Sequence, residues 1–217
     1  AYALTARGAA EKNRLTDRFL ARKLAEYDAL HAELTGTSSN LVPIKHRTEL
    51  MQNNLAPITE LYVSYDSAQK LKVEAADLVS HDLSPRQICD LELLMNGGFN
   101  PLKGFLSEED YNGVVENMRL ADGALWPMPV TLDVKKDFAD SIELGQDIAL
   151  RDQEGVILGT MTVTDKWVPN KSNEAEKVYG ADDLAHPAVN YLHNTAGEVY
   201  LGGPVTGIQQ PVHYDFR

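Results

Sequence analysis

The sequence predicts an α+β fold in which a small barrel of strands is decorated by helices. Three observations lead to this prediction. Segments rich in Val, Ile, Leu and Thr recur with uneven lengths, short amphipathic helix patterns lie between them, and Gly, Pro, Asn and Asp mark frequent turns. No internal repeat and no low-complexity segment occurs in the 217 residues. Pattern alone therefore indicates the class of the fold and not the individual fold.

The chain opens with a predicted helix over residues 11–34, in which apolar side chains recur between charges. Residues 35–40 then end this helix. We interpret residues 1–50 as a helical extension, which could be the tail of an upstream domain, a dimerisation helix or a strap. Packing on its own domain or on a symmetry mate is favoured, because an isolated amphipathic helix must bury its apolar stripe. The first residue is not Met, and we expect the chain to be excised from a longer polypeptide.

Residues 51–217 are predicted to form the main domain, in which helices and strands are interspersed. The predicted helices span 66–78, 85–95, 107–118, 174–179 and 187–192, and the predicted strands span 61–63, 129–134, 147–152, 155–167 and 197–208. The last strand is expected to break at Gly202-Gly203-Pro204. Asp152–Gly155 reads as a hairpin turn.

The stretch from Ser84 to Leu106 is the most informative part of the chain. Ser84 can cap a helix and Pro85 suits its first position, where a missing N–H costs nothing. Asn96-Gly97-Gly98 ends this helix, because glycine reaches left-handed backbone angles without a Cβ clash. The rings of Phe99 and Phe105 are expected to pack beneath the turn that follows.

This stretch and four later ones resemble the N-terminal domain of the ATP sulfurylase (sulfate adenylyltransferase) family. The later ones are Met118–Gly123, Trp126–Val134, Ala185–Val189 and Val199–Val205. The final residues, Pro211–Arg217, resemble the segment that leads into the catalytic domain of the family. The resemblance covers roughly residues 58 to 217 in unbroken order. It implies that residues 51–217 form a PUA-like pseudo-β-barrel.

The resemblance implies a parent enzyme that joins sulfate to ATP, releasing adenylyl sulfate and pyrophosphate with Mg as cofactor. Catalysis in that family uses a Gln-x-Arg-Asn-Pro segment, a His-x-x-His pair and a Gly-Arg-Asp loop. None of the three occurs here. We therefore predict no catalytic, cofactor-binding or metal-binding residue in this chain, and a non-catalytic domain that supports a C-terminal catalytic domain. Details also resemble forms fused to an adenylylsulfate kinase.

Contacts with that catalytic domain, or with a neighbouring subunit, are predicted at the loop after the central helix and at the end of the chain. The candidate residues are Asn96, Gly97, Gly98, Phe99, Asn100, Phe105, His213, Tyr214 and Phe216. Asn96 and Asn100 are expected to satisfy backbone groups rather than bind ligands.

Other chemical candidates have simpler structural interpretations. Gly97-Gly98 follows a helix rather than opening one, so it lacks the geometry of a phosphate cradle. His186 and His193 lie seven residues apart without further ligands, and Asp182-Asp183 lacks alternating ligand spacing. Cys89 is expected to be a buried, inert thiol.

Composition narrows the partners and the compartment. The net charge of −12 disfavours nucleic acid, since phosphate contacts need clustered Lys and Arg. An RNA-binding module remains an alternative, because PUA-like folds often bind RNA. An assembly domain driven by the residue 1–34 helix is another, and we expect a homo-oligomer. A single cysteine precludes an internal disulfide and fits the cytoplasm, and no apolar run approaches the ~20 residues that cross a bilayer.

Overall fold

The computed structural model describes residues 58–213, which belong to one compact unit. The predicted helical extension of residues 1–50 lies outside the described residues, as do Tyr214 and Phe216. Within residues 58–213, no helix is both long enough and apolar enough to span a membrane.

Six helices and seven strands make up the described part of the chain. The helices are α1 (Tyr65–Ala75), α2 (Pro85–Met95), α3 (Glu108–Asn117), α4 (Lys136–Asp140), α5 (Lys171–Glu174, continued by a π-helical turn, Ala175–Tyr179) and α6 (Pro187–Asn194). The strands are β1 (Ser80–Asp82), β2 (Gly104–Phe105), β3 (Leu132–Val134), β4 (Asp147–Arg151), β5 (Ile157–Thr162), β6 (Asp165–Trp167) and β7 (Val199–Gly207).

The strands form a mixed sheet in the order β1-β4-β5-β7-β2, and β3 and β6 also pair with β7. Only the β1–β4 pair is parallel among these pairings; the others are antiparallel. Because different parts of β7 pair with four strands, the sheet curls into a half-barrel around it. The predicted α+β class is confirmed.

Strand β7 is continuous through Gly202-Gly203-Pro204, so the predicted break in this strand is wrong. The reason is close packing rather than a turn. A Cβ on Gly202 would collide with the carbonyl oxygen of Leu106, and one on Gly203 with that of Thr162. The glycines therefore allow neighbouring backbone to approach both faces of the strand.

The other differences are changes of length and division, and three short elements, β1, β2 and α4, that were not predicted. The predicted strand 155–167 is two strands: β5 ends at Thr162 after pairing with β4 and β7, and β6 begins at Asp165 and pairs with another part of β7. The predicted strand 61–63 contributes one isolated bridge, between Tyr62 and Gly207. The turn at Asp152–Gly155 is confirmed, with Gly155 at φ +85°.

Helix α2 is the main helix of the core. Ser84 caps it as predicted, and its Oγ accepts from the backbone N–H of Gln87 at 3.4 Å. Leu91, Leu94 and Met95 are buried against the half-barrel. Each such side chain contributes about 1.5–3 kcal/mol through burial, so the inner face of α2 holds the helix in place.

Candidate functional site

The loop at the end of α2 has the cap geometry that the sequence predicts. Gly97 adopts φ +79°, and the Oδ1 atom of Asn96 accepts from the N–H of Gly98 at 2.8 Å. The Asn100 N–H donates to the carbonyl of Gly97 at 3.1 Å, and the Asn100–Pro101 peptide bond is cis. The predicted role of Asn96, satisfying a backbone group, is confirmed.

The two aromatic rings flanking this loop lie in different surroundings. The Phe99 ring is partly buried and meets Trp126 edge to face, with 5.6 Å between the ring centroids. Phe105 is 3% exposed and belongs to the hydrophobic core. Its side chain is therefore buried within this unit. Any contact with another domain at this position would be made by the backbone of Phe105 or by neighbouring residues.

The exit segment of the described chain lies against the outer face of α2. The Nε2 atom of His213 is 2.7 Å from Oε2 of Glu92. This contact joins the end of the described residues to the last turn of α2 and brings His213 towards the Asn96–Asn100 loop. Tyr214 and Phe216, the other candidates in this segment, lie outside the described residues.

A polar cluster at the first turn of α2 was not predicted from the sequence. Arg86 forms ion pairs with Asp90, at 2.6 Å, and with the buried Asp133 of β3. It also donates to the Tyr191 hydroxyl of α6 at 3.2 Å and to the Thr131 carbonyl at 3.3 Å. Arg86 thereby ties together α2, the strand edge at β3 and helix α6.

Gln87 completes this cluster from inside the core. Its Nε2 donates to the carbonyl of Asp133 at 2.7 Å and to the carboxylate of Asp133 at 3.0 Å. Its Oε1 accepts from the N–H of Ser84 at 2.9 Å, which completes a capping box. The Ser-x-x-Gln spacing of residues 84–87 and the four-residue spacing of Arg86 and Asp90 were the sequence signals for these contacts.

The electrostatics of the cluster favour charged Arg86. Burial alone would lower the pKa of Arg86, but Asp90, the Tyr191 hydroxyl and Asp133 raise it above the ordinary value. Burial raises the pKa of Asp90, with Arg86 opposing and Asp133 adding to the shift. Asp90 is therefore a partly buried ion-pair partner of Arg86.

A second buried polar group lies deeper in the core. Oε2 of Glu174 accepts from the hydroxyls of Tyr111, at 2.9 Å, and Tyr200, at 3.1 Å. Burial raises the pKa of Glu174, while the two hydroxyls and the more distant charges of Arg86 and Lys171 oppose the shift. Burial and the Glu174 charge raise the pKa values of both tyrosines, so these hydroxyls remain donors.

No group of three or more His, Cys, Asp or Glu side chains suited to a metal ion exists within residues 58–213. His193 pairs with Asp182 at 2.6 Å. The His186 ring lies against Tyr179, with centroids 5.5 Å apart, and its side chain does not cap α6.

Cys89 is exposed, so the prediction of a buried thiol is wrong. The cysteine lies midway between the buried residues Gln87 and Leu91 of α2. Two residues correspond to a rotation of roughly 200° around a helix, which turns Cys89 to the outer face.

The described polar groups thus join parts of the fold to one another. The donors of Arg86 are engaged by protein acceptors, and the Glu174 carboxylate is covered by tyrosines. A family model described as a PUA-like domain matches residues 52–210. The chain belongs to the PUA-like domain family. The PUA-like fold expected from the resemblance is confirmed, and the curled sheet around β7 is its barrel.

The PUA-like domain is similar to the N-terminal region of proteins named sulfate adenylyltransferase. It is 48% identical over 151 residues to the one from Eremothecium gossypii, a range that covers 70% of this chain and 30% of the relative. It is 49% identical over 150 residues to the one from Schizosaccharomyces pombe, covering 68% and 31%. The matched region spans less than a third of these curated relatives.

A solved structure is similar to this chain as well. It is described as hexameric APS kinase from Thiobacillus denitrificans, and it superposes with a TM-score of 0.56 at 31% identity. The similarity covers 73% of this chain and 27% of that chain. The resemblance inferred from the sequence motifs is therefore confirmed by both relatives and structure.

Proposed function

We propose that this PUA-like domain is the non-catalytic N-terminal domain of a sulfate adenylyltransferase. The parent reaction joins ATP and sulfate, with Mg, to give adenylyl sulfate and pyrophosphate, as the first step of sulfate assimilation. The observation that carries the proposal is the 48–49% identity over about 150 residues to the N-terminal region of two enzymes of that name. Such identity over the whole domain supports the proposal that this domain is also the N-terminal domain of a sulfate adenylyltransferase.

The partner in this proposal is a C-terminal catalytic domain of the same polypeptide. The proposed contacts are the predicted ones at Asn96–Asn100 and at the exit from His213, including Tyr214 and Phe216. At Phe105, whose side chain is buried, the contact would be made by the backbone. The position of His213 against Glu92, in the last turn of α2, supports a common surface for loop and exit. In this proposal, ATP, sulfate and Mg bind the C-terminal catalytic domain, and the enzyme is located in the cytoplasm.

An oligomeric enzyme with a fused kinase is part of the same proposal. Its support is the 31% identity to a chain described as hexameric APS kinase. We therefore propose a homo-oligomer whose polypeptide carries adenylylsulfate kinase activity beside sulfate adenylyltransferase activity.

A chimera tests the proposed function. Residues 52–213 replace the corresponding segment of the Schizosaccharomyces pombe relative, and pyrophosphate release from ATP and sulfate is measured for the chimera, the unmodified relative and the 217-residue chain. We expect activity from the chimera and none from the chain alone.

Two results would overturn this proposal. Sulfate-dependent pyrophosphate release by the 217-residue chain would show that it holds its own catalytic site. A chimera that unfolds cooperatively like the unmodified relative, yet has no activity, would show that this PUA-like domain cannot serve in a sulfate adenylyltransferase.

A further inference from the structure

The described chain begins and ends at the same corner of the fold. The N–H of Leu61 donates to the carbonyl of Met95, the last residue of α2, at 2.8 Å. His213 contacts Glu92 one turn earlier in the same helix. Strand β7 arrives there too, since its last residue, Gly207, bonds to Leu61 and Val63. Both ends of the described chain therefore lie near the C-terminal end of α2.

Three large apolar side chains are exposed at this corner. Ile58 is 74% exposed, Leu93 is 38% exposed and Val212 is 59% exposed. We call these residues, with the backbone of Gly97 and Gly98 between them, the exit patch. Clustered apolar exposure of this kind is typical of a surface that another protein surface covers, whereas scattered exposure is ordinary.

The glycines make the exit patch continuous. A Cβ on Gly97 would lie 2.5 Å from Cγ2 of Ile58, and a Cβ on Gly98 would lie 2.9 Å from Cδ2 of Leu93. Both apolar side chains thus rest directly on the bare backbone of this loop. Side chains at 97 and 98 would separate Ile58 from Leu93, so the glycines flatten the patch as well as ending α2.

Two acidic residues lie beside the exit patch. Glu92 lies beside Leu93 and contacts His213, and Glu60 is exposed two residues after Ile58. Burial, and after it the charges of Glu92 and Glu60, raise the pKa of Tyr62. A matching partner surface would have an apolar centre and a basic rim.

We propose that the exit patch is the docking surface for the catalytic region that follows this domain in sulfate adenylyltransferases. This inference rests on the proposed function. The occupant is favoured because the described chain leaves the fold at the patch, and because over two thirds of each curated relative lies outside the matched region. A surface beside the exit is the first one that a following domain meets. The proposal adds Ile58, Leu93 and Val212 to the interface.

Cys89 provides a reporter for this docking. It is the single cysteine of the chain, it is exposed, and it lies one helical turn before Leu93 on the outer face of α2. Alkylation of Cys89 by iodoacetamide is followed by mass spectrometry of its peptide, which makes other cysteines of a chimera irrelevant. The proteins compared are the 217-residue chain and the chimera with the Schizosaccharomyces pombe relative.

We expect Cys89 to react at least about tenfold more slowly in the chimera than in the chain alone, because a docked domain limits access. Leu93→Asp in the chimera should restore the fast rate by placing a charge in the apolar centre. The matched control is Val168→Asp. Val168 is 76% exposed and follows Trp167, which pairs with Tyr200 at the opposite end of β7 from Gly207. This control should leave Cys89 protected.

Each outcome decides the inference. Equal rates in chain and chimera would overturn it, as would protection that Leu93→Asp leaves intact. Protection that appears in the isolated chain as its concentration rises would assign the patch to a second copy and overturn the named occupant. An active chimera with unprotected Cys89 refutes the docking surface alone. An inactive chimera with protected Cys89 refutes the proposed function alone.

Discussion

At the scale of single residues, Glu174 is a buried carboxylate whose hydrogen-bond partners are tyrosines rather than cations. Glu174 is only 5% exposed, and its Oε2 accepts hydrogen bonds from the hydroxyls of Tyr111 and Tyr200. Because burial raises its pKa, the folded protein holds this proton more tightly than the unfolded chain does. Above the unfolded pKa, near 4.5, this group therefore makes stability fall as pH rises.

Glu174→Gln removes this titration while keeping an acceptor for the tyrosine hydroxyls. We expect the free energy of unfolding of the variant, minus that of the wild type, to increase between about pH 4 and pH 7. Urea denaturation at several pH values measures this difference. The prediction concerns how this difference changes with pH and not its absolute size. The amide changes the hydrogen bonds to the tyrosines by the same amount at every pH, so it does not affect the trend. A flat or falling difference would contradict the pKa direction.

Glu116 supplies the matched control. Hydrogen bonds from Asn173 and Lys177 lower the pKa of this exposed carboxylate. Stability from such a group is present above its unfolded pKa and lost as pH falls. For Glu116→Gln, the free energy of unfolding of the variant minus that of the wild type should therefore decrease as pH rises. The decrease should be small, because water and salt screen exposed charges.

The residue scale also shows where sequence reasoning succeeds. Ser84, Asn96 and Gly97 were predictable because their partners lie within three residues along the chain. The link from Gln87 to Asp133 joins residues 46 apart, and that from Arg86 to Tyr191 joins residues 105 apart. A single sequence contains no signal for pairs at such separations, so only the local half of this cluster was open to prediction.

At the scale of elements, glycines in strand β7 allow the neighbouring backbone to approach it closely. The backbone carbonyl of Thr162 occupies the space that a Cβ of Gly203 would need, and Gly203 also has φ +151°. Gly104 of β2 is crowded in the same way, because a Cβ at this position would collide with the carbonyl oxygen of Gly203. Strands β2, β5 and β7 thus converge where the backbone has no side chains to separate it.

Gly203→Ala should destabilise the domain by about 3 kcal/mol or more, because backbone must move to admit the methyl group. Gly145→Ala is the control: Gly145 also has positive φ, at +86°, but nothing lies within 4 Å of its Cβ position. There we expect a loss of about 1–2 kcal/mol from backbone strain alone. Urea unfolding compares the two variants, and equal losses would show that crowding at β7 is unimportant.

Helices and strands differ in how well the sequence predicts them. Helices α2 and α3 agree with their predicted bounds within a residue or two, because caps and apolar periodicity are local signals. Residues 155–167 were predicted as one strand from their composition, but they form β5, which pairs with β4 and β7, and β6, which pairs with a different part of β7. Pairing is set by distant partners, which is why strand divisions and the continuity of β7 were missed.

At the scale of the whole molecule, the barrel itself came from the family resemblance and not from composition or periodicity. Most strands of the half-barrel pair with β7, which lies near the C-terminal end of the described chain. No local sequence pattern therefore predicts that the sheet curls into a half-barrel. Charge is different, because it is additive along the sequence. The net charge of −12 therefore supports a statement about partners without any knowledge of the fold.

We predict that this PUA-like domain does not bind structured RNA with useful affinity. Acidic residues outnumber Lys and Arg by 32 to 20, and several described cations already have protein partners. Lys166 donates to the Ala139 and Ile142 carbonyls, and Arg151 pairs with Asp82. Binding to phosphates would require these contacts to break inside an acidic field, which weakens association at every salt concentration.

Fluorescence anisotropy with a labelled RNA stem-loop, at low salt, measures this directly. We expect no saturable change below about 10 µM protein, the range in which even nonspecific binding by basic proteins is seen. A cationic peptide of similar concentration serves as the positive control. Nanomolar binding that weakens as salt is added would instead assign the domain to the RNA-binding branch of its fold family, and the sulfate adenylyltransferase chimera would then be expected to lack activity.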